Sequence, residues 1–338
     1  MRVTGERIVG RARLHIGADV QGRYGLEALD TTLSYNLADA VTSETATVSI
    51  DSAHRTAVGL FAETNAQVAP RVRISGGLRV DGVWSTSRGG FFGNRSVANA
   101  AFAGLFAATL ALTERLTLTA QVARGFRDPT LSDRFYRGPV GRGFVEGNPD
   151  LRPETSLQFD LTTRYVAGPI RLSAATYHYR IADLVERYAP TPTLTLLRNR
   201  GHAELRGVEI EAHATLPHGF ALIATAEASR GRDGVDGTPL DDVAPAAASV
   251  TIRYDVGASV ASYVRMQAVS SHDAAGPTEV PTRHHNIVDA GVGWHLTRHL
   301  ELRGAMRNLM NEAYQSSAGP RWVWAPGRHG SLTMVVAF

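Results

Sequence analysis

Apolar and polar residues alternate with a two-residue period from one end of the chain to the other, and helical spacing is rare. Ile8, Gly10, Ala12, Leu14, Ile16, Ala18 and Val20 form one such series, with Arg11, Arg13, His15, Asp19 and Gln21 between them. Leu157, Phe159, Leu161, Thr163 and Tyr165 oppose Gln158, Asp160, Thr162 and Arg164. Val208, Ile210, Ala212, Ala214 and Leu216 oppose Glu209, Glu211 and His213, and Val288, Ala290, Val292, Trp294 and Leu296 oppose Asp289 and His295. Successive side chains of a strand point to opposite faces, so each series predicts a strand with one apolar and one solvated face. The pattern places fourteen strands, near 6–21, 54–69, 71–86, 96–113, 115–125, 155–166, 169–186, 203–216, 219–231, 246–255, 259–271, 285–296, 299–309 and 328–338. Many match or exceed the ~9–11 residues that cross a bilayer at a tilt.

The connections alternate too. Tight ones at 69–70, 113–114, 167–169, 216–219 and 297–299 follow every second strand, and long polar ones fall near 22–53, 126–154, 187–202, 232–245, 272–284 and 310–327. Outer-membrane barrels have this asymmetry of short periplasmic turns and long external loops. The expected fold is all-β, an antiparallel transmembrane β-barrel of about fourteen strands, its apolar face on lipid and its polar face lining the lumen. A soluble β-rich binding protein would need its apolar faces to bury one another.

Composition narrows the functional classes. Among 338 residues there is no Cys, which removes disulfides, thiol catalysis and Cys zinc sites. All 35 basic residues are Arg, the formal charge is only +3, and no basic run interleaved with aromatics marks a nucleic-acid surface. No apolar run is long enough for a membrane-spanning helix. The start lacks the basic segment and apolar core of a secretory signal. No nucleophile-elbow, dinucleotide, zinc-protease or P-loop pattern occurs, so no catalytic residue is assigned. His284 and His285, with Asp289, form the densest histidine cluster, but adjacent strand residues face opposite ways, and no metal site is assigned. No cofactor is expected.

Four ordered segments carry more than alternation: Ala123-Arg124-Gly125-Phe126-Arg127-Asp128-Pro129-Thr130-Leu131-Ser132-Asp133; Gly147-Asn148-Pro149-Asp150-Leu151-Arg152-Pro153-Glu154-Thr155-Ser156; Asn199 to Glu211 with its Gly207-Val208-Glu209-Ile210-Glu211; and Asn308-Leu309-Met310-Asn311-Glu312-Ala313-Tyr314 followed by Ala325-Pro326-Gly327-Arg328. The chain ends Leu332-Thr333-Met334-Val335-Val336-Ala337-Phe338, with Leu332, Met334, Val336 and Phe338 on one face. Together these segments resemble the C-terminal barrel of TonB-dependent outer-membrane receptors, from about residue 54 onward. Phe338 resembles the terminal signal read by the barrel-assembly machinery.

The resemblance implies residence in the cell outer membrane and uptake of a siderophore, cobalamin or similar nutrient. It also implies contact with outer-membrane lipid and lipopolysaccharide. Such receptors carry a plug domain and a twenty-two-strand barrel. Residues 1–338 therefore read as a C-terminal, truncated barrel portion with no plug domain, able to engage the TonB complex only if a plug and coupling segment are supplied. A plugless, porin-like passive pore is the alternative.

Within the motifs, Asn148, Pro149, Asp150, Leu151, Pro153 and Glu154 read as scaffold, because two fixed proline φ angles and side chains that bond their own backbone set a rigid return into a strand. Gly207 suits a close backbone approach, and Glu209 and Glu211 share the lumenal side. Arg127, Arg134, Tyr136, Arg137, Arg142 and Phe144 lie in one long external loop with the chemistry for an anionic, partly flat ligand, or for lipopolysaccharide. Trp322 and Trp324 read as rim aromatics.

Overall fold

A computed structural model describes residues 2–9, 12–35, 40–140, 143–257, 259–319 and 322–337. Among these residues there are seventeen strands, with 72% of residues in strand and 3% in helix. In chain order these are β1 (Arg2–Val9), β2 (Ala12–Tyr35), β3 (Val41–Ala69), β4 (Val72–Ser87), β5 (Arg95–Ala111) and β6 (Leu116–Arg127). A short helix, α1 (Leu131–Phe135), precedes β7 (Arg137–Val140), β8 (Gly143–Glu146), β9 (Glu154–Ala167), β10 (Ile170–Thr191) and β11 (Leu194–Thr215). The rest are β12 (Phe220–Asp233), β13 (Ala247–Val256), β14 (Val260–Val269), β15 (His285–His295), β16 (Leu300–Arg307) and β17 (His329–Val336).

The chain divides into two compact units. One holds residues 1–108, 121–158 and 180–203, the other 109–120, 159–179 and 204–338. In the first, β1 to β4 pair antiparallel in sequence order, β7 and β8 form a hairpin, and β8 lies parallel on β11 over Leu194–Leu196. In the second, β12 to β17 form an antiparallel meander.

The register puts the apolar series on one face. Leu222 faces Ile252, Ile252 faces Val264, Val264 faces Ala290, and Ala290 faces Met306. These rows are exposed: Val264 is 52% and Met266 51% accessible, and Leu222, Ile252, Val292, Trp294, Leu332 and Met334 are exposed as well. An apolar face this extensive marks a membrane or partner surface rather than a soluble one. The intervening residues carry the charge. Arg265 pairs with Asp289 at 2.6 Å, Arg303 with Glu301 at 2.7 Å, and the Thr225 and Ser249 hydroxyls meet at 2.8 Å. In the first unit the polar face is built likewise, with Arg79 clamped between the carboxylates of Asp19 and Asp81.

Three expectations are corrected. Seventeen strands replace fourteen. The connections at 22–53 and 187–202 are not open loops, since β2 and β3 stay paired out to Tyr35↔Val41, and β10 and β11 run on to Thr191 and from Leu194. Polar β-ribbons satisfy their own backbone, so they need no apolar face to persist. The single strand expected over 6–21 is a hairpin in which Val9 faces Ala12. That turn shifts the phase by one residue, so Ile8 shares its face with Arg13 rather than with Ile16. Arg142 and Phe338 lie outside the described residues.

Candidate functional site

The densest side-chain network lies in the first unit, where the segment 128–154 folds on itself. Thr130 caps α1 by accepting from the Asp133 amide while Asp133 accepts from the Thr130 amide, a reciprocal capping box that lets a five-residue helix stand. The apolar side of α1, Leu131 and Phe135, packs on Ile50 and Ala53 of β3, with Phe92 and Tyr136 against the same cluster.

Between α1 and the motif segment sits Arg134, 0% exposed. Its Nη1 donates to the Pro149 and Leu151 carbonyls, both at 2.7 Å, and its Nη2 lies 3.5 Å from Asp128. Asp128 is also paired with Arg55 at 2.9 Å and accepts from Asn99 at 2.6 Å. Burial pushes the Arg134 guanidinium below its ordinary value, and the attraction of Asp128 opposes that shift. Arg134 therefore offers no surface to an external ligand, and its expected place among the ligand contacts is corrected. A buried guanidinium that donates to two carbonyls from one nitrogen and lies beside a carboxylate is a structural pin here.

The motif residues brace the same knot. The Gly147 amide donates to the Tyr136 carbonyl, and a Cβ on Gly147 would stand 2.9 Å from the Arg134 carbonyl oxygen. The Asn148 amide donates to the Asp133 carbonyl, its side-chain amide donates to the Leu197 carbonyl, and its oxygen accepts from the Asp150 amide. Leu151 is buried, and Pro149 and Pro153 flank the turn. Glu154 accepts from Arg127 and, at 2.6 Å, from the Val185 amide. Arg127 is thus held by Glu154 and by Asp133 at 3.1 Å.

Of the six candidate ligand residues, two meet, Arg137 and Phe144. Arg137 stacks 3.9 Å from the Phe91 ring centroid and 4.9 Å from that of Phe144, with Glu146 at 3.1 Å, and the neighbouring Tyr136 hydroxyl donates to Pro139. Phe91, 58% exposed, was not singled out in the sequence. The signal was there, because Phe91-Phe92 stands between Gly89-Gly90 and Gly93, where no periodicity explains an aromatic pair.

In the second unit, the ring of Tyr177 lies over Gly207, so a Cβ there would stand 2.4 Å from the Tyr177 hydroxyl and 2.8 Å from the Ala228 carbonyl. Glu209 and Glu211 line a cleft of about 410 Å³ with Glu227, Arg265 and Gln267. His285 stacks on Tyr314 at 4.4 Å, and Trp322 and Trp324 meet edge to face. Among the described residues no cluster of three or more metal-ligating side chains forms.

Two loops of this unit are locked together through Glu279. Its carboxylate accepts from the Gly276 and Asp242 amides, both at 2.9 Å, and lies 3.1 Å from His272 Nε2, while Asp241 accepts from the Thr278 amide. Burial alone would raise the Glu279 carboxyl, but the two amides and His272 outweigh it and hold it below the usual carboxylate range. A depressed folded-state value stabilises the lock above the unfolded glutamate value of about 4.3 and loses that stabilisation as pH falls through the folded value. Hydrogen exchange of residues 240–245 and 272–279, corrected for intrinsic rates, should stay slow at neutral pH and rise below about pH 4. In Glu279→Gln it should be fast and insensitive to pH; unchanged slow exchange in that variant would remove the carboxylate from the account.

Comparison with known proteins places this arrangement. A family model described as "TonB dependent receptor-like, beta-barrel" matches residues 4–309. The vitamin B12 transporter BtuB of Vibrio vulnificus is 25% identical over 236 residues, 68% of this chain and 36% of that protein. Heme/hemopexin utilization protein C of Haemophilus influenzae is 24% identical over 265 residues, again 68% of this chain and 36% of that protein. The copper transporter OprC superposes with a TM-score of 0.84 at 20% identity, covering 100% of this chain and 55% of OprC. The ferric yersiniabactin uptake receptor FyuA of Yersinia pestis gives 0.72 at 18% identity, covering 100% of this chain and 53% of FyuA. The chain thus spans just over a third of the matched sequence relatives and about half of the matched structures.

Proposed function

The chain belongs to the TonB-dependent receptor-like β-barrel family, and from that membership we propose that it forms barrel wall of an outer-membrane import receptor. The observation that carries this reading is the split of its strands into an exposed apolar face and a charged, internally paired face. The outward face meets outer-membrane lipid and lipopolysaccharide, and the terminal strand, β17 with Phe338, serves the barrel-assembly machinery. Energy comes from the TonB complex acting through a plug and coupling segment. The sequence relatives and structural neighbours are transport receptors rather than enzymes, which fits the lack of any catalytic constellation in the sequence.

The cargo is a scarce-nutrient complex with a flat, anionic portion. Arg137 between Phe91 and Phe144 presents a guanidinium and two aromatic rings on one patch. Such a patch binds planar acids by stacking and charge together. Arg127 and Arg142 flank it in sequence.

Labelled ferric siderophore, cobalamin and haem, offered to vesicles carrying the folded chain, test the proposal. One of them is expected to bind saturably, and Arg137→Ala with Phe91→Ala should weaken that binding about tenfold, or 1.4 kcal/mol. Equal leakage of all three solutes with no saturation would instead support the passive pore.

A further inference from the structure

The polar face of β3 and β4 is covered, whereas that of β14 is open. Along β4, Asp81, Val83, Ser85 and Ser87 share one side by two-residue alternation and are 5%, 3%, 2% and 3% exposed. Val80 and Trp84 lie exposed on the other side. On β14 the polar-face positions Tyr263 and Arg265 are exposed instead. The cover on β3 is the segment 128–138. Arg55, directly opposite Ser85, donates to the Pro129 carbonyl and pairs with Asp128, both at 2.9 Å. Leu131 and Phe135 of α1 pack on Ile50 and Ala53, and a Cβ on Gly138 would stand 2.9 Å from that of Ser49. From Asp128 to Gly138 the chain therefore runs across the side of the wall that faces away from the exposed apolar rows of β3 and β4.

A connecting segment ordinarily runs over the surface into water. This one turns back onto the wall and is held there at one carboxylate. Asp128 is bound by Arg55 of β3, Asn99 of β5 and Arg134 of α1, and Arg134 is fixed in turn to the Pro149 and Leu151 carbonyls. We propose that residues 128–138 form an inward strap that narrows the lumen and restricts passage through it, with Asp128 as the catch. Removing the charge of Asp128 leaves two guanidinium groups buried without a shared counter-ion, and only Leu131 and Phe135 then hold α1 to β3. The inference rests on the outer-membrane reading given above, because only a barrel gives the polar face a lumen. It does not depend on which cargo meets Arg137.

The chain has no cysteine, so single thiols report on single places. In the full chain inserted into phosphatidylcholine vesicles, Leu131→Cys should react slowly with a charged maleimide, since Leu131 is 1% exposed and labelling follows the released population. Adding Asp128→Asn should speed that labelling roughly a hundredfold, the scale of breaking a buried ion pair. Thr225→Cys, on the polar face of the second unit, should label at one rate in both backgrounds. Swelling of the same vesicles in arabinose, an uncharged solute, reads the passage itself. Swelling should be faster with Asp128→Asn than with the wild type. It should be slower in oxidised Ala53→Cys/Leu131→Cys, where a disulfide ties α1 to β3, than in the same variant reduced. Faster labelling without faster swelling would show a strap that moves but restricts nothing, and would overturn the proposal, as would labelling that Asp128→Asn leaves unchanged. If Asp128→Asn also speeds labelling at Thr225→Cys, the crosslinked variant decides alone, and equal swelling of its two redox forms overturns the strap. A chain that never inserts would refute the outer-membrane reading itself.

Discussion

Arg134→Met is expected to destabilise the folded chain by about 3 kcal/mol, the low end of the range for removing one partner of a buried pair. The low end applies because Asp128 keeps Arg55 and Asn99, and because the variant no longer buries a guanidinium whose Nε and Nη2 have no hydrogen-bond partner. What remains is the loss of both donors to the Pro149 and Leu151 carbonyls, at about 1–3 kcal/mol for each orphaned buried acceptor. The segment 147–154 should then open to subtilisin while the meander of the second unit stays resistant. Arg134→Lys tells charge from shape: an ammonium can reach one carbonyl but cannot also hold the second and Asp128, so it should fall between wild type and Met. If Arg134→Met melts and resists cleavage like the wild type, the guanidinium is not the pin.

That prediction could not have been written from the sequence, and the reason is physical. An arginine in a polar loop reads as surface because arginine is almost never fully buried unless it is paired. The partners that pay for its burial are backbone carbonyls, which are silent in sequence, and an aspartate whose other ligand, Arg55, lies on a distant strand. Arg137 and Phe144 were legible because their chemistry is exposed, yet Phe91 arrives from another loop and only the fold brings it to them. Strand periodicity was legible wherever one face is apolar. It faded at 22–53, where register shifts between β2 and β3, from Val20/Arg23 to Ser34/Tyr35, interrupt the alternation, and it mis-set the phase at Val9↔Ala12, because alternation alone does not count the residues of a turn. The scaffold reading of Asn148, Pro149 and Glu154 came from proline and Asx chemistry local to the segment, which is why a short motif sufficed to suggest it.

The two faces of β14 provide the sharpest comparison, because one strand presents both within three residues. Val264 and Met266 lie on the exposed apolar face, whereas Arg265 and Gln267 lie on the other, Arg265 against Asp289 and Gln267 across from Ser249. If the apolar face meets hydrocarbon, Val264→Arg or Met266→Arg should each cost about 2–4 kcal/mol near the bilayer midplane, where an arginine finds neither water nor a counter-ion. Gln267→Arg, one residue from Met266, should cost close to nothing, because its face is already polar and holds Glu209, Glu211 and Glu227 along the same cleft. Urea-dependent folding into vesicles, followed by heat-modifiable gel mobility, measures all three variants on one scale. If that face is exposed to water instead, arginine at Val264 or Met266 would be tolerated as well as at Gln267. Equal tolerance on both faces would therefore remove the membrane from the account, and a loss confined to Val264 and Met266 would assign that face to lipid.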